Sequence, residues 1–148
     1  MIREKTIGII TFRWEDKGIR YLLLHHGGQY WNFPKGRQEI GETELESARR
    51  ELQEETGISD IKIIDGFRDE YDYDFDSEVR GGERKKIYKE AVFFLGEVKD
   101  PAVKISDEHV DFGWFDFDTA LKRMFYQEGQ NSLKRAQQFL LKRQGFVL

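Results

Sequence analysis

The chain has 148 residues, of which 39% are hydrophobic, 14% aromatic and 35% charged. This length predicts one domain, and the aromatic content is too high for a typical disordered chain. The 28 acidic and 24 basic side chains give a formal net charge of −4, which argues against nucleic-acid binding through bulk positive charge, and the absence of cysteine excludes disulfides and thiolate metal sites.

The start of the chain is not typical of a targeting segment. Met1-Ile2-Arg3-Glu4-Lys5 is too charged for a signal peptide. Nor does any apolar stretch approach the roughly 18 residues that a membrane-spanning helix needs. We therefore expect a cytoplasmic protein with a single domain over residues 1–148 and no membrane partner.

In chain order, the pattern predicts strands on both sides of one central helix. Apolar and β-branched runs predict five strands, at 6–12, 19–24, 58–75, 86–98 and 111–116. Helical periodicity predicts three helices, at 43–56, 118–125 and 131–143. A polar segment with two glycines predicts a hairpin loop at 77–86. This order is typical of a mixed α/β (α+β) fold.

The central helix has the clearest boundaries. Thr43 and Glu46 have the spacing of a capping box, and Gly57 stands where a left-handed glycine would end the helix. The apolar residues between them lie on one face, at Leu45, Ala48 and Leu52.

Three carboxylates crowd one turn of this helix. Glu51 lies on the same face as Glu54 and Glu55, and like charges at this spacing destabilise a helix. One interpretation is a solvated acidic face with Arg49 and Arg50 as partners. The other is a site for a hard divalent cation such as Mg²⁺ or Mn²⁺, which prefers oxygen ligands and relieves the repulsion.

The residues before the helix favour the cation site. A backbone carbonyl near Gly36 can approach closely because glycine has no side chain. Arg50 has a guanidinium that can lock a carboxylate through two hydrogen bonds, and Glu42 is the natural candidate. Such support behind the ligands is what metal sites require.

Segment 36–58 resembles the signature of the Nudix hydrolases at every fixed position. The matching residues are Gly36, Glu42, Arg50, Glu51, Leu52, Glu54, Glu55, Gly57 and Ile58. The resemblance implies an α/β/α sandwich around a mixed sheet, in which this segment forms a loop, a helix and a loop. It also implies metal-dependent hydrolysis of a nucleoside diphosphate linked to another group.

By position, the resemblance implies a role for each residue of the motif. Glu51, Glu54 and Glu55 would bind the metal, joined by the backbone carbonyl of Lys35. Arg50 and Glu42 would hold the loop and helix in shape. The glutamate that orients the attacking water is Glu51 or Glu55, and the metal is Mg²⁺ or Mn²⁺.

Positive side chains outside the motif are candidates to bind phosphates. They are Lys35, Arg37, Lys85, Lys86 and Lys89. Phosphate chemistry favours such a clamp, because cations offset the charge of the polyphosphate. The alternative for each is an ordinary surface lysine or arginine, and Lys35 is the strongest candidate because it adjoins the motif.

Outside the motif, the chain is most similar to the asymmetric diadenosine tetraphosphate hydrolases of this family. The similar segments are 31–36, 64–67, 94–100 and 106–109, together with Trp114. The resemblance implies that Glu108 also reaches the metal site and that Tyr126 stacks on adenine, with Tyr88 a second candidate. Glu108 is alternatively a surface acid, and His109 is expected to be a structural hydrogen-bonding residue.

One segment departs from the expected pattern. Acidic residues alternate with aromatic ones between Asp69 and Arg84, and the segment is more acidic than the resemblance leads us to expect. The match between the lysines of this chain and the phosphate-binding lysines of the family therefore stays open. The alternation is also typical of a strand with Tyr71, Tyr73 and Phe75 facing inward.

The leading hypothesis is hydrolysis of diadenosine tetraphosphate to ATP and AMP. The alternatives are another pyrophosphate substrate (RNA 5′-triphosphate ends, ADP-ribose or a diphosphoinositol) and a catalytically silent nucleotide-binding module. The intact carboxylates speak against the silent module. The expected partner is a small nucleotide, with no stable nucleic-acid partner, and the expected state is a monomer or weak dimer.

Overall fold

The computed structural model describes residues 2–78 and 80–145. Within these residues the strands are β1 (Ile2–Glu15), β2 (Gly18–His25), β3 (Trp31–Asn32), β4 (Lys35–Arg37), β5 (Lys62–Ile63), β6 (Asp69–Glu78), β7 (Arg84–Glu97) and β8 (Asp111–Phe115). The helices are α1 (Glu44–Thr56), α2 (Phe117–Arg123) and α3 (Gln127–Arg143). In this part of the chain, no helix is long and apolar enough to cross a membrane.

The sheet is built around two long neighbouring strands, β1 and β7. They run parallel, with residues 2–12 opposite residues 87–97, while all other strand pairs are antiparallel. The other edge of β1 is shared, because β4 pairs with its first half and β2 with its second half. The sheet is therefore mixed, as predicted.

Helices cover both faces of this sheet. Successive strand residues point to opposite faces, so Ile7 of β1 packs in the same core as Leu52 of α1, whereas Phe12 packs in the same core as Leu140 of α3. Residues 7–12 are buried throughout, as expected of a strand that is covered on both sides. The predicted α/β/α sandwich is confirmed.

Helix α1 begins and ends where its sequence predicts. The Thr43 hydroxyl accepts from the Glu46 N–H at 3.1 Å, and the Glu46 carboxylate accepts from the Thr43 N–H at 2.9 Å. At the other end Gly57 has φ 75°, which is strained for residues with a side chain, and its N–H donates to the Gln53 carbonyl.

The predicted strand at 58–75 is wrong. The structure divides it into β5 and β6, separated by a turn in which Gly66 has φ 91°. Both pieces pair with β7, β5 over two residues and β6 over ten. The predicted loop 77–86 is also too long, because β6 continues to Glu78 and β7 begins at Arg84; Val79 lies outside the described residues.

The last helix begins four residues before the predicted start. Its first turn contains Gly129, which is buried so closely against Met124 that a Cβ there would lie 2.7 Å from the Met124 Cε. The first turn packs through this glycine and not through an apolar side chain. The apolar periodicity from which the helix is predicted therefore begins only at Leu133. The predicted strand at 111–116 and helix at 118–125 shift by one or two residues at their ends.

We expect Thr43→Ala to destabilise the protein by about 1 kcal/mol, because it leaves the first turn of α1 without its side-chain acceptor. Chemical denaturation would measure this loss. Thr43→Ser is the matched control and should retain nearly all of the stability. Equal stability of the alanine and serine variants would contradict a stabilising role for the capping box.

Candidate active site

The Arg50 side chain connects α1 to the loop that precedes it. Its Nε donates to Glu42 Oε2 at 2.7 Å and its Nη2 to Glu42 Oε1 at 3.1 Å, so the pairing predicted from the sequence is present. Nη2 also donates to the Arg37 carbonyl at 2.9 Å. Hydrogen bonds from Arg50, and then from Ser47, lower the pKa of Glu42 to about 2.

Arg50 also contacts two of the crowded carboxylates. Its Nη1 lies 2.8 Å from Glu51 Oε1 and 3.2 Å from the nearer Glu54 oxygen. The acidic turn therefore has features of both interpretations. Arg50 partly neutralises it, as in an arginine-paired acidic face, and the carboxylates face a common cleft, as in a cation site. Arg49, the other predicted partner, is exposed.

Gly36 allows the Glu51 carboxylate to lie directly beneath the loop. A Cβ at position 36 would fall 2.0 Å from the Glu51 carboxyl carbon, so any other residue there would displace this carboxylate. The glycine of the motif therefore matters through close approach rather than through an unusual backbone angle, because its φ is not positive.

Glu55 is the most deeply buried of the three glutamates. It is 7% exposed, and its Oε1 accepts from the Lys35 N–H at 2.7 Å. Burial above all, with a smaller contribution from the nearby charges of Glu51 and Glu108, raises the pKa of Glu55 to about 8. The side chain therefore has an unusually high proton affinity, which is typical of functional carboxylates.

A loop after β7 closes the other side of this carboxylate cleft. The Lys104 N–H donates to the Thr56 carbonyl at 2.9 Å, and the Ser106 N–H donates to the Glu55 carbonyl at 3.2 Å. The result is a cleft of about 280 Å³ lined by Glu51, Glu54, Glu55, Ser106, Asp107 and Glu108. The structure thus brings the four predicted carboxylate ligands together.

The donor chemistry of the carboxylate cleft fits a hard divalent cation. Carboxylate oxygens are the ligands that Mg²⁺ and Mn²⁺ prefer, and a cation would relieve the repulsion that raises the pKa of Glu55. As the side chains stand, no three acidic or histidine groups of the described residues converge on one point. Glu51 and Glu54 instead turn toward Arg50.

A second cleft, of about 580 Å³, opens beside the first. It is lined by Thr6, Asn32, Lys35, Tyr71, Tyr73, Asp74, Phe75, Lys89, Ala91, Tyr126 and Glu128. Three predicted substrate-binding residues, Lys35, Lys89 and Tyr126, therefore share one cleft. Lys35 belongs to both sites, because its N–H contacts Glu55 while its side chain lines this nucleotide-sized cleft.

Burial within the second cleft, together with the charge of Lys89, lowers the pKa of Lys35. Two positive side chains held close together in this way favour an anionic ligand. Tyr73 is a lining residue that the site prediction missed. The alternation of aromatic and acidic residues in β6 was the signal that could have identified it.

Two other predicted substrate-binding residues, Lys86 and Tyr88, do not line this cleft. They lie on the opposite face of the hairpin from Lys89, because alternate residues of β7 point in opposite directions. The Tyr88 hydroxyl donates to Asp72, and the Arg3 guanidinium lies 4.9 Å from the centre of the Tyr88 ring.

The two remaining candidates for phosphate binding, Arg37 and Lys85, form ion pairs. Arg37 contacts Glu4 at 2.8 Å, and Lys85 lies 3.8 Å from Glu83. The Lys35 carbonyl is a metal ligand by prediction only, since the contact that the structure shows is made by the Lys35 N–H.

Comparison with known proteins extends the likeness over nearly the whole chain. The model of the NUDIX domain family matches residues 3–136. The asymmetrical bis(5′-nucleosyl)-tetraphosphatase of Rattus norvegicus is 35% identical over 148 aligned positions, and the match covers 92% of this chain and 95% of the relative. A crystal structure of a C. elegans Ap4A hydrolase binary complex is 27% identical, with a TM-score of 0.79, and the match covers 97% of this chain and 99% of that chain.

A second group of relatives carries another name. An RNA pyrophosphohydrolase of Bartonella clarridgeiae is 38% identical over 85 aligned positions, and the match covers 53% of this chain and 49% of the relative. The RNA pyrophosphohydrolase of Bartonella henselae is 32% identical, and its match covers 78% of this chain and 78% of the relative. The similarity to the RNA enzymes therefore extends over a large part of the chain, but less far than the 92% covered by the tetraphosphatase.

We expect Glu55→Gln to stabilise the protein in EDTA at alkaline pH. The pKa of Glu55 is raised above its unfolded value, so the folded state binds the extra proton and the stability of the wild type falls as pH rises from about 4.5 to about 8. Glutamine carries no charge and can still accept from the Lys35 N–H. The melting temperature should therefore rise by a few degrees at about pH 8.5 and change little at about pH 5.

Glu54→Gln is the matched control for this measurement, because it makes the same change of charge at an exposed neighbouring side chain. It should show no comparable gain with pH. A Glu55→Gln variant whose melting temperature differs from the wild type equally at both pH values would argue against a proton-dependent penalty at Glu55.

Proposed function

This chain belongs to the NUDIX family of hydrolases, and on that premise we propose that it cleaves dinucleoside polyphosphates asymmetrically, with diadenosine tetraphosphate yielding ATP and AMP. The observation that carries the proposal is the junction of the two clefts at Lys35, whose N–H binds Glu55 while its side chain lines the basic and aromatic cleft. Full-length similarity to asymmetrical tetraphosphatases supports the same substrate class.

The carboxylate cleft is proposed to hold the reacting phosphates. Glu51, Glu54, Glu55 and Glu108, with the Lys35 carbonyl, would hold Mg²⁺ or Mn²⁺. When bound, such a cation offsets phosphate charge and makes a bound water more nucleophilic. Glu51 or Glu55 would orient that water, since both line the cleft, and Arg50 would keep Glu51 in position through its hydrogen bond.

The reaction requires one water and no other reactant. Water attacks the phosphorus next to one adenosine, and the bond from that phosphorus to the bridging oxygen breaks. The oxygen leaves with the other three phosphates as ATP, while the attacked phosphate becomes that of AMP. The water proton passes to a carboxylate, so positioning and charge supply the catalysis.

The second cleft is proposed to bind the rest of the nucleotide. Lys35 and Lys89 would contact phosphates away from the reaction, since both line the same wall. Tyr126 is 51% exposed and packs against Tyr30 and Phe125, so the accessible part of its ring would stack on adenine, and Tyr73 lines the same cleft.

A second candidate is removal of phosphates from RNA 5′-triphosphate ends. The similarity to bacterial RNA pyrophosphohydrolases favours it. Their matches cover 53% and 78% of this chain, against 92% for the tetraphosphatase, and the formal net charge of −4 does not favour binding along an RNA strand. We therefore consider RNA 5′-triphosphate ends a weaker substrate candidate than dinucleoside polyphosphates.

The first test is product analysis by anion-exchange chromatography. We expect the protein and Mg²⁺ to convert diadenosine tetraphosphate into equal amounts of ATP and AMP, and EDTA to abolish the reaction. Two molecules of ADP would contradict the asymmetric cut. Absence of products, combined with pyrophosphate release from triphosphorylated RNA, would favour the second candidate. Glu55→Gln should lose most turnover, whereas Glu83→Gln makes the same change of charge at an exposed side chain outside both clefts and should retain it.

Tyr126→Ala should raise KM about tenfold and lower kcat much less. Base stacking on an aromatic ring contributes about 1–3 kcal/mol to binding, and this contact is not with the reacting phosphates. Steady-state kinetics with diadenosine tetraphosphate would measure both constants. Tyr126→Phe keeps the ring and should behave as the wild type; an unchanged KM in the alanine variant would remove Tyr126 from the binding site.

A further inference from the structure

His109 lies beside the Glu55 carboxylate and has no role in the reaction proposed above. Its side chain is 1% exposed. One ring nitrogen, Nδ1, lies 3.0 Å from the Ser106 hydroxyl, and the other, Nε2, lies 3.2 Å from Glu55 Oε2. The ring therefore connects the loop after β7 to the most buried carboxylate of the cleft.

The Nε2 atom is enclosed and lacks a satisfied hydrogen bond. Although it is close to Glu55, the approach is off the axis of a hydrogen bond, and no other group of residues 2–78 and 80–145 takes its place. A buried polar atom without a partner destabilises the folded state. A small rotation of the Glu55 carboxylate would satisfy it.

The direction of this hydrogen bond follows from the two neighbours. When Glu55 binds the cation it is ionised and presents only lone pairs, so an Nε2 lone pair facing it would be repelled and Nε2 must carry the hydrogen. Nδ1 then accepts from the Ser106 hydroxyl.

The ring is also held firmly from other directions. The His109 N–H donates to the Ser106 carbonyl at 3.1 Å, and the Ser106 N–H donates to the Glu55 carbonyl at 3.2 Å. The His26 ring packs against the His109 ring with centroids 4.6 Å apart and planes at 65°. His109 is therefore a rigid donor rather than a mobile side chain.

We propose that His109 is a positioning residue whose Nε2–H donates to Glu55 Oε2 and fixes the orientation of that carboxylate for cation binding. The Lys35 N–H already holds Oε1 at 2.7 Å, so the two donors together define the plane of the carboxylate. Each oxygen keeps a lone pair that can face the cleft. This inference rests on the proposed function, which assigns Glu55 to the cation.

Two substitutions of His109 distinguish the loss of its hydrogen bond to Glu55 from the loss of its packed ring. His109→Gln can place an amide N–H near the position of Nε2, whereas the shorter His109→Asn places one near Nδ1 and reaches only Ser106. Both lose the ring. Binding of Mn²⁺, followed by electron paramagnetic resonance without nucleotide, should weaken about 10- to 100-fold in the asparagine variant and only a few-fold in the glutamine variant.

Kinetics and folding supply the second readout. The asparagine variant should lower kcat at fixed Mg²⁺ and leave the KM for diadenosine tetraphosphate unchanged, because His109 does not line the nucleotide cleft. Circular dichroism and melting temperatures would verify that both variants fold.

Equal Mn²⁺ affinity in the wild type and both folded variants would overturn the role of His109 while leaving the proposed function intact. Equal weakening in both variants would also overturn it, because the lost packing alone would then explain the effect. A wild-type protein that binds no Mn²⁺ would overturn the cation assignment and this inference together.

Discussion

The Arg50 guanidinium makes the interaction on which the active site depends. It binds Glu42 through two hydrogen bonds and the Arg37 carbonyl through a third, so the loop before α1 cannot move away from the helix. The same group contacts Glu51 and Glu54 and neutralises part of the acidic turn. A lysine could not replace it, because only the planar fork of arginine presents several donors in fixed directions. With the loop held in this way, Gly36 lies over the Glu51 carboxylate and the cleft keeps its shape.

Glu55 shows how stability and function oppose each other at this site. Burial and two neighbouring carboxylates make its charge unfavourable, as its raised pKa indicates. Such a group persists because the surrounding fold is stable enough to tolerate it: α1 is capped at both ends, and two apolar cores lie on opposite faces of the sheet. Local violations of favourable electrostatics are typical of functional sites. The Lys35 N–H offsets part of the penalty without removing the charge.

The sheet topology explains why the two clefts meet at Lys35. β4 pairs with the first half of β1, opposite the strand β7 that carries Lys89. This pairing brings the chain so close to Gly8 that a Cβ there would lie 2.3 Å from the Pro34 carbonyl oxygen. Lys35 therefore reaches Glu55 of α1 through its backbone and the cleft beside β7 through its side chain. One residue can serve both sites only because a short strand lies between them.

The sequence by itself determined the parts of the protein whose partners are near in the chain. The capped helix α1, its acidic turn and the Arg50–Glu42 pair all lie within 16 residues and were predictable, as was the family. The structure decided which hairpin residues share a cleft: the register of β6 and β7 places Lys89 on the side of Tyr73 and turns Lys86 and Tyr88 away. It also divided the predicted strand 58–75 at Gly66 and brought His109 beside Glu55. Local patterns record propensity and periodicity, whereas these outcomes depend on strand register and on contacts between distant segments, which form only when the whole sheet packs.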